Sequence, residues 1–245
     1  MKELYLLIFI LFSLSACQSK TEKSVLIFSK TTRYYHESIP AGIAAIQKLG
    51  KQYNFKVDTT TDNSLFTKEN LKKYNAIIFL STTGNNLLDS AQKLNFQEYI
   101  RSGSGFVGIH SASASEKEWP WYGELVGAVF IDHPEPQIAQ VLITNKNHNA
   151  TKHLPSPWIW NDEWYNFKFN PKNVQIILSV DENTYKGGKH GSDHPVSWHH
   201  EFEGGRSFYT ALGHFDSSFQ DSLYLQHILW GIKYAMGESD NISRR

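Results

Sequence analysis

The sequence predicts an α/β protein built on a parallel sheet covered by helices on both faces. Three observations predict it. Residues 25–29, 76–80 and 105–109 are short, almost wholly apolar runs, as in strands buried on both faces. Amphipathic segments with helix-start signals separate these runs. Further along, 196–202 and 207–212, joined through Glu203-Gly204-Gly205, read as a β-hairpin added to the sheet.

After the first strand (25–29) comes a polar loop, 30–37. Ser38 is placed to cap a helix with Pro40 in its first turn, and Ile39, Ile43, Ile46 and Leu49 recur at helical spacing, with Gly50 near the helix end. A short strand at 55–57 follows, then a helix capped by Thr67 that runs to Tyr74. The run 76–80 is the next strand. Asp89 or Ser90 caps a helix to about Arg101, with Gly103 behind it, and 105–109 is the strand after that. Residues 137–144 and 174–180 are further strands, and a helix from about Phe219 to Met236 closes the domain, with Leu223, His227, Trp230 and Tyr234 along one stripe. Parallel sheets of this kind place ligands at the carboxyl ends of their strands. Chemistry is therefore expected in the loops after Ser29, Leu80 and Ile109, which carry His36, Thr82-Thr83-Gly84-Asn85 and His110-Ser111.

The first seventeen residues carry a separate message. Leu4 to Leu14 is an apolar run interrupted only by Ser13, behind Lys2 and ahead of Leu14-Ser15-Ala16-Cys17. The run is too short for a finished membrane span and has the length of a signal-peptide core. Small residues before a cysteine fit lipoprotein processing, in which the Cys17 thiol takes the lipid. The expected organisation is a signal at 1–16, a lipidated tether at 17–24, one domain at 25–237 and a tail at 238–245. The expected address is the cell envelope, with the chain held to a membrane by its acyl groups; each buried methylene contributes about 0.8 kcal/mol.

Composition narrows the function. Lys plus Arg equals Asp plus Glu at 24 each, and the basic residues are scattered, so nucleic-acid binding has no electrostatic support. No Gly-rich dinucleotide fingerprint follows the first strand, so a nicotinamide cofactor has none either. Cys17 is the single cysteine, which leaves the domain without a thiolate nucleophile or a disulfide. Eleven histidines are many for one domain. Any one of them is more often a hydrogen-bonded core or surface residue than a functional one. His36, His110 and His214 stand out because each ends a predicted strand, where sheet geometry would bring them together. His110 also lies between the small residues Gly108 and Ala112, the setting of a sharp strand-to-helix elbow.

These segments resemble the ThuA-like family, the trehalose-utilisation relatives of the class I glutamine amidotransferase fold. The resemblance rests on Tyr35-His36-Glu37-Ser38-Ile39, Gly103-Ser-Gly-Phe-Val-Gly-Ile-His-Ser-Ala112, Gly127-Ala-Val-Phe130 with His133-Pro134, Asp162-Glu-Trp-Tyr165, Pro195-Val-Ser-Trp198 and Gly205-Arg-Ser-Phe-Tyr-Thr-Ala-Leu-Gly-His214. The loop before His36, Thr31-Thr-Arg-Tyr-Tyr35, departs from the Gly–aromatic–Arg approach of many relatives. The resemblance implies a flavodoxin-like, three-layer parallel-sheet sandwich with added hairpin elements. It implies His110 at the position of the amidotransferase cysteine, so glutamine hydrolysis through a thioester is excluded. It also implies disaccharides, including sugars oxidised at a ring carbon, as the small-molecule partner, with a sugar oxidoreductase or a transporter as neighbour.

Within that frame His110, His36, Glu163 and His214 are the candidate catalytic residues. Two chemistries fit them. Three imidazoles and a carboxylate suit a divalent transition metal; without metal they form a general acid/base set suited to enolisation beside a sugar carbonyl. A third reading is a non-catalytic sugar-binding protein. Asn85, Trp119, Trp164, Tyr165, His199 and Ser111 are the candidate substrate contacts, through hydrogen bonds and ring stacking. Arg206 is a candidate ion-pair partner for Asp162-Glu163, and the Gly-rich 186–192 segment reads as a mobile surface loop.

Overall fold

The computed structural model describes residues 22–168 and 171–238. The expected signal at 1–16, the lipidation position Cys17 and residues 239–245 lie outside the described residues. In chain order the strands are β1 (Lys23–Phe28), β2 (Phe55–Thr60), β3 (Ala76–Leu80), β4 (Gly105–Ile109), β5 (Phe130–Asp132), β6 (Gln137–Ile143), β7 (Trp158–Asp162), β8 (Asn166–Phe167), β9 (Gln175–Val180), β10 (Pro195–Phe202) and β11 (Gly205–Thr210). The α-helices are α1 (Ile39–Tyr53), α2 (Lys68–Leu71), α3 (Ser90–Arg101), α4 (Pro120–Val126) and α5 (Ser222–Ala235). None of the described helices is long and apolar enough to cross a membrane.

Nine strands form one sheet in the order β2-β1-β3-β4-β11-β10-β9-β6-β7, and β5 pairs with β8 beside it. The first five strands of that order are mutually parallel. From β11 onward every pairing is antiparallel. The sheet is therefore mixed, a parallel half extended by an antiparallel one. The switch occurs at the β10–β11 hairpin, where Glu203 and Gly204 both have positive φ (47° and 90°), the two-residue turn whose twist suits paired strands.

The inner parallel strands are closed on both faces, while β2 forms a partly exposed edge. Val25 to Phe28 and Ala76 to Leu80 are buried throughout. On one face Phe28, Phe79 and Phe106 meet Phe66, Phe96 of α3 and Tyr122 of α4, with neighbouring ring centroids 4.8–6.3 Å apart. On the other lie α1 and α5. Gly42 of α1 packs on Leu80, and Gly231 of α5 packs on Phe208. This is the predicted three-layer arrangement, and α5 sits so close that a Cβ on Gly105 would fall 2.1 Å from the Ala235 carbonyl oxygen.

Several local expectations need correction. The first strand begins at Lys23, so the last residues assigned to a tether are sheet. Ser38 precedes α1 but makes no capping bond; its hydroxyl donates instead to the Gly213 carbonyl (3.1 Å), tying the loop after β1 to the loop after β11. Gly50 does lie near the end of α1, which runs on to Tyr53 and closes on Asn54 in a left-handed conformation (φ 58°). The Thr67-capped helix stops at Leu71, and α5 starts at Ser222, preceded by a 3-10 turn at Asp216–Gln220. Asp89, by contrast, caps α3 through a capping box with Gln92. The strand β7 and the helix α4 were not legible, because their apolar positions serve partners distant in sequence rather than a local period. Arg206 does not pair with Asp162-Glu163; its guanidinium donates to the Ala235 and Gly103 carbonyls.

The contact at Gly105 is backbone against side-chain position, so relief requires α5 to move. Gly105→Ala is expected to cost about 1–3 kcal/mol, read as a lower thermal midpoint of the purified domain. An unchanged midpoint would show that α5 is free to shift.

Candidate active site

Four loops meet at the carboxyl edge of the parallel half. The loop after β1 carries His36, the loop after β3 carries Thr83 and Asn85, the turn after β4 carries His110 and Ser111, and the segment after β11 carries His214. They are cross-linked. Thr83 Oγ1 donates to the Tyr34 carbonyl (2.6 Å) and Asn85 Oδ1 accepts from the Lys117 backbone N–H (2.9 Å). Glu116, buried, accepts from the backbone N–H groups of Leu87 and Leu88 and pairs with Lys93.

His110 occupies the elbow with φ +53°, followed by the 3-10 turn His110–Ala114. Left-handed backbone on a non-glycine residue is a strained choice that concentrates at functional sites. The elbow fits only because its neighbours are small: a Cβ on Gly108 would lie 2.9 Å from the Tyr209 ring and 3.3 Å from Ala112 Cβ. The Tyr209 hydroxyl donates to the His110 carbonyl (2.8 Å) and holds the turn.

Imidazole chemistry follows from this placement. His110 Nδ1 lies 2.8 Å from the Ala211 carbonyl. A carbonyl only accepts, so Nδ1 carries a proton, and in the neutral ring the Nε2 lone pair faces inward. That Nε2 is 3.1 Å from His36 Nε2, 2.9 Å from the Tyr165 hydroxyl and 3.3 Å from Glu163 Oε2. Glu163 Oε2 is also 3.2 Å from His214 Nδ1 and 4.0 Å from His36 Nε2. The other oxygen, Oε1, is 3.4 Å from His133 Nε2. Glu163 thus has two sides, one turned to the buried imidazoles and one to His133.

Asp162, wholly buried, sets this geometry. Its carboxylate accepts from the Gly213 N–H (2.8 Å), the His214 N–H (3.1 Å), Trp160 Nε1 (2.9 Å) and the Glu163 N–H (3.0 Å). The end of β7 is thereby bonded to the end of β11, and Glu163 is delivered among the histidines. Tyr165 is fixed in turn by His194, whose Nε2 donates to the Tyr165 carbonyl (2.8 Å) while its Nδ1 meets Glu182 (2.8 Å).

Electrostatics sort the protonation states. Burial, reinforced by the neighbouring His110 ring, holds His36 down at about 3, so it is neutral at ordinary pH. Burial alone would raise Glu163; contacts with His110 and His214 override it and keep the carboxylate ionised well below its usual range. Burial opposes the charge on His214, but Glu163 outweighs it and raises the imidazole. Tyr165 is pushed well above 10 by burial and then by the Glu163 charge, so it stays a donor.

Above the cluster lies a cavity of about 540 Å³, within the range of small-molecule sites. Its floor is His36, Ser111, His133, Glu163 and Tyr165. Its walls include Arg33, Tyr34, Asn85, Lys117 and Phe130. Lys117 lies 4.7 Å over the Phe130 ring. His110, fully buried, lies beneath the floor rather than in it.

The structure therefore brings together all four expected catalytic residues, and Asn85, Ser111 and Tyr165 line the cavity as expected. Three expected substrate contacts do not. Trp164 is fully buried with Nε1 donating to the Gln137 carbonyl. Trp119 stacks on Trp121 with Lys93 over it, and His199 stacks on His148. The aromatic faces of the cavity are Tyr34, Phe130 and Tyr165 instead. The 186–192 segment is not loose: Glu182 accepts from the backbone N–H groups of His190 and Gly191, and His190 Nε2 accepts from the Phe167 N–H. Sequence reasoning missed His133 as a site residue. Its one signal was its place with Pro134 among the segments of the family resemblance; it directly follows β5, a three-residue strand too short to read from the sequence.

With this geometry in place, comparison defines the class. The chain belongs to the ThuA family, described as trehalose utilisation, which matches residues 24–235. It is similar to a ThuA-like protein of Bacteroides uniformis at 28% identity, with a TM-score of 0.73 over 89% of this chain and 93% of that one. A ThuA-like protein of Parabacteroides merdae shares 18% identity with a TM-score of 0.67 over 89% and 91%. A GMP synthase subunit of Thermoplasma acidophilum shares the fold alone, at 9% identity and a TM-score of 0.52 over 89% and 98%. No curated protein matches the sequence. The family and the α/β architecture are as the sequence motifs implied, and family membership points to carbohydrate utilisation.

A buried neutral histidine makes stability depend on acid. His36 has its pKa lowered on folding, so between about 6.5 and about 3 the unfolded chain binds the extra proton, and stability falls as pH falls through that window. Removing one such proton from the balance changes the slope by about 1.4 kcal/mol per pH unit. His36→Gln is expected to flatten the decline of the urea midpoint between pH 6.5 and 5; an unchanged slope would place the ring in water.

Proposed function

We propose that this protein is a saccharide-processing enzyme that moves a proton at a carbon beside a carbonyl, acting on a disaccharide or other sugar that carries a ketone at an oxidised ring carbon. One observation carries the reading: Glu163 sits at the cavity floor with each carboxylate oxygen flanked by imidazole, Oε1 by His133 and Oε2 by His110 and His214. Such a carboxylate–imidazole pair is a general acid/base device. His133 is a third exposed and lines the cavity, so the His133–Glu163 pair is the part that meets substrate. Tyr165, held protonated, donates to the carbonyl oxygen as negative charge develops there. His110, His36 and His214 act through Glu163 as positioning residues, a role that differs from the central acid/base position expected for His110. Its burial beneath the floor is the reason. Tyr34 and Phe130 offer ring faces to a sugar, and Arg33, Asn85 and Lys117 offer polar groups to its hydroxyls.

The family's association with trehalose supports the substrate class. Thioester chemistry is disfavoured, since the elbow after β4 holds His110 and Cys17 is the single cysteine. Lipid attachment at Cys17, with the domain at the cell envelope, completes the proposal; it rests on the Leu4 to Cys17 pattern.

Two measurements test these statements. With a keto-disaccharide in deuterated water, wild type is expected to exchange the hydrogen next to the ketone, followed by NMR, and His133→Gln to slow exchange by about 100-fold or more. Saccharide binding with neither exchange nor product would make this a binding protein, and full activity in Glu163→Gln would remove the carboxylate from the reaction. Radiolabelled palmitate is expected in wild type and absent from Cys17→Ala; label retained in the variant would overturn the anchor.

A further inference from the structure

We infer that His36, His110, His214 and Glu163 form a binding site for one divalent transition-metal ion. The inference concerns the same cluster as the proposed function and depends on that reading only for the ion's role, not for its binding.

Four donor atoms converge. His36 Nε2, His110 Nε2, His214 Nδ1 and Glu163 Oε2 all lie within 4.8 Å of one another. The separations are 3.1 Å for His36–His110, 3.3 Å for His110–Glu163, 3.2 Å for His214–Glu163 and 4.0 Å for His36–Glu163. A metal with bonds of about 2.0–2.2 Å to nitrogen and oxygen needs its ligand atoms about 3–4 Å apart. These four separations already have that spacing.

Charge points the same way. His110 spends its Nδ1 proton on the Ala211 carbonyl, so its Nε2 lone pair faces the Glu163 carboxylate. His36 Nδ1 lies 3.3 Å from the Ser111 hydroxyl, which leaves Nε2 turned inward. His214 Nδ1 is buried and faces the Glu163 carboxylate at 3.2 Å. With His214 deprotonated, four nitrogen and oxygen donors surround one small volume. A proton bridges only two of them; a cation satisfies all four.

The surrounding bonds have the form that metal-ligating histidines take, with the outer ring nitrogen fixed by a carbonyl or hydroxyl. Ser111 and the Ala211 carbonyl play that part here, and Asp162 fixes the backbone of Glu163 and His214. An imidazole-rich set with one carboxylate selects zinc, nickel, cobalt, iron or manganese over magnesium or calcium. His36 and Glu163 line the cavity, so the ion would be open to substrate on that side. Bound there, it would polarise a sugar carbonyl or a pair of hydroxyls. Glu163 Oε1 and His133 remain available for the proton. The Tyr165 hydroxyl, which donates to His110 Nε2, would turn to an oxygen held by the ion.

Calorimetric titration of chelator-stripped wild type with manganese, nickel, cobalt or zinc, together with elemental analysis of the protein as purified, tests the site. One equivalent per chain is expected, with a visible cobalt spectrum for the cobalt form. His214→Ala and Glu163→Gln are expected to abolish that equivalent, and Ser111→Ala to weaken it about 10–100-fold. Thermal unfolding of each variant separates loss of the site from loss of the fold: for a folded variant, a midpoint no longer raised by metal supports the site. Failure of folded wild type to bind any of these ions, or equal binding by the ligand variants, overturns it. Stripped wild type that still exchanges deuterium at full rate also overturns an ion with a role, and leaves the acid/base proposal standing. Metal bound by the cluster without exchange or product on keto- or unmodified disaccharides supports the site and removes the enzyme reading.

Discussion

A buried carboxylate makes the arrangement of the candidate site available. Asp162 is wholly buried, and four donors from two chain segments, the end of β7 and the Gly213–His214 turn, take water's place. Hydrogen bonds to a charged acceptor each contribute about 1.5–3 kcal/mol, and losing them would leave an uncompensated charge in the interior. The chain therefore cannot separate the end of β7 from the Gly213–His214 turn without a large penalty. That link joins the antiparallel half of the sheet to the parallel half, and it carries Glu163 and Tyr165 over the strand ends where His36 and His110 wait. Ser38, whose hydroxyl bonds the Gly213 carbonyl, extends the same tie to the loop after β1.

What is assembled there is an electron-rich pocket. Burial removes protons from His36, while Glu163 keeps its charge because His110 and His214 stand against it. The same carboxylate raises His214 and holds the Tyr165 proton in place. Glu163 is the common partner in all of these shifts. Its two oxygens separate the labour: one belongs to the buried imidazoles, the other to His133 at the cavity floor. The fold is shared with the GMP synthase subunit of Thermoplasma acidophilum, and in this chain a left-handed imidazole, His110, occupies the elbow after β4.

Much of this was legible in the sequence. The runs 76–80 and 105–109 match strands residue for residue, because strands buried on both faces need apolar side chains at every position. The Asp89 cap was legible because a capping box is a local bond. His36, His110 and His214 stood out because strand direction alone places them on one edge. Strand β7 was missed, since Trp158 and Trp160 alternate with other residues over only five positions. The tryptophans also misled. Their size suggested sugar stacking, yet Trp164 fills the core and its N–H finds a backbone carbonyl, the usual fate of a large ring that can be satisfied inside.

The sequence by itself determined the layers, the carboxyl edge and three of the histidines on it, since hydrophobic pattern and chain direction are local properties. Only the tertiary structure decided that His133 joins Glu163, that His110 lies below the cavity floor, and that Asp162 rather than Arg206 organises the site. Each of those depends on contacts between segments tens of residues apart, and on which buried polar group finds which partner. No periodicity records that choice; it is made by the cost of leaving any of them unpaired.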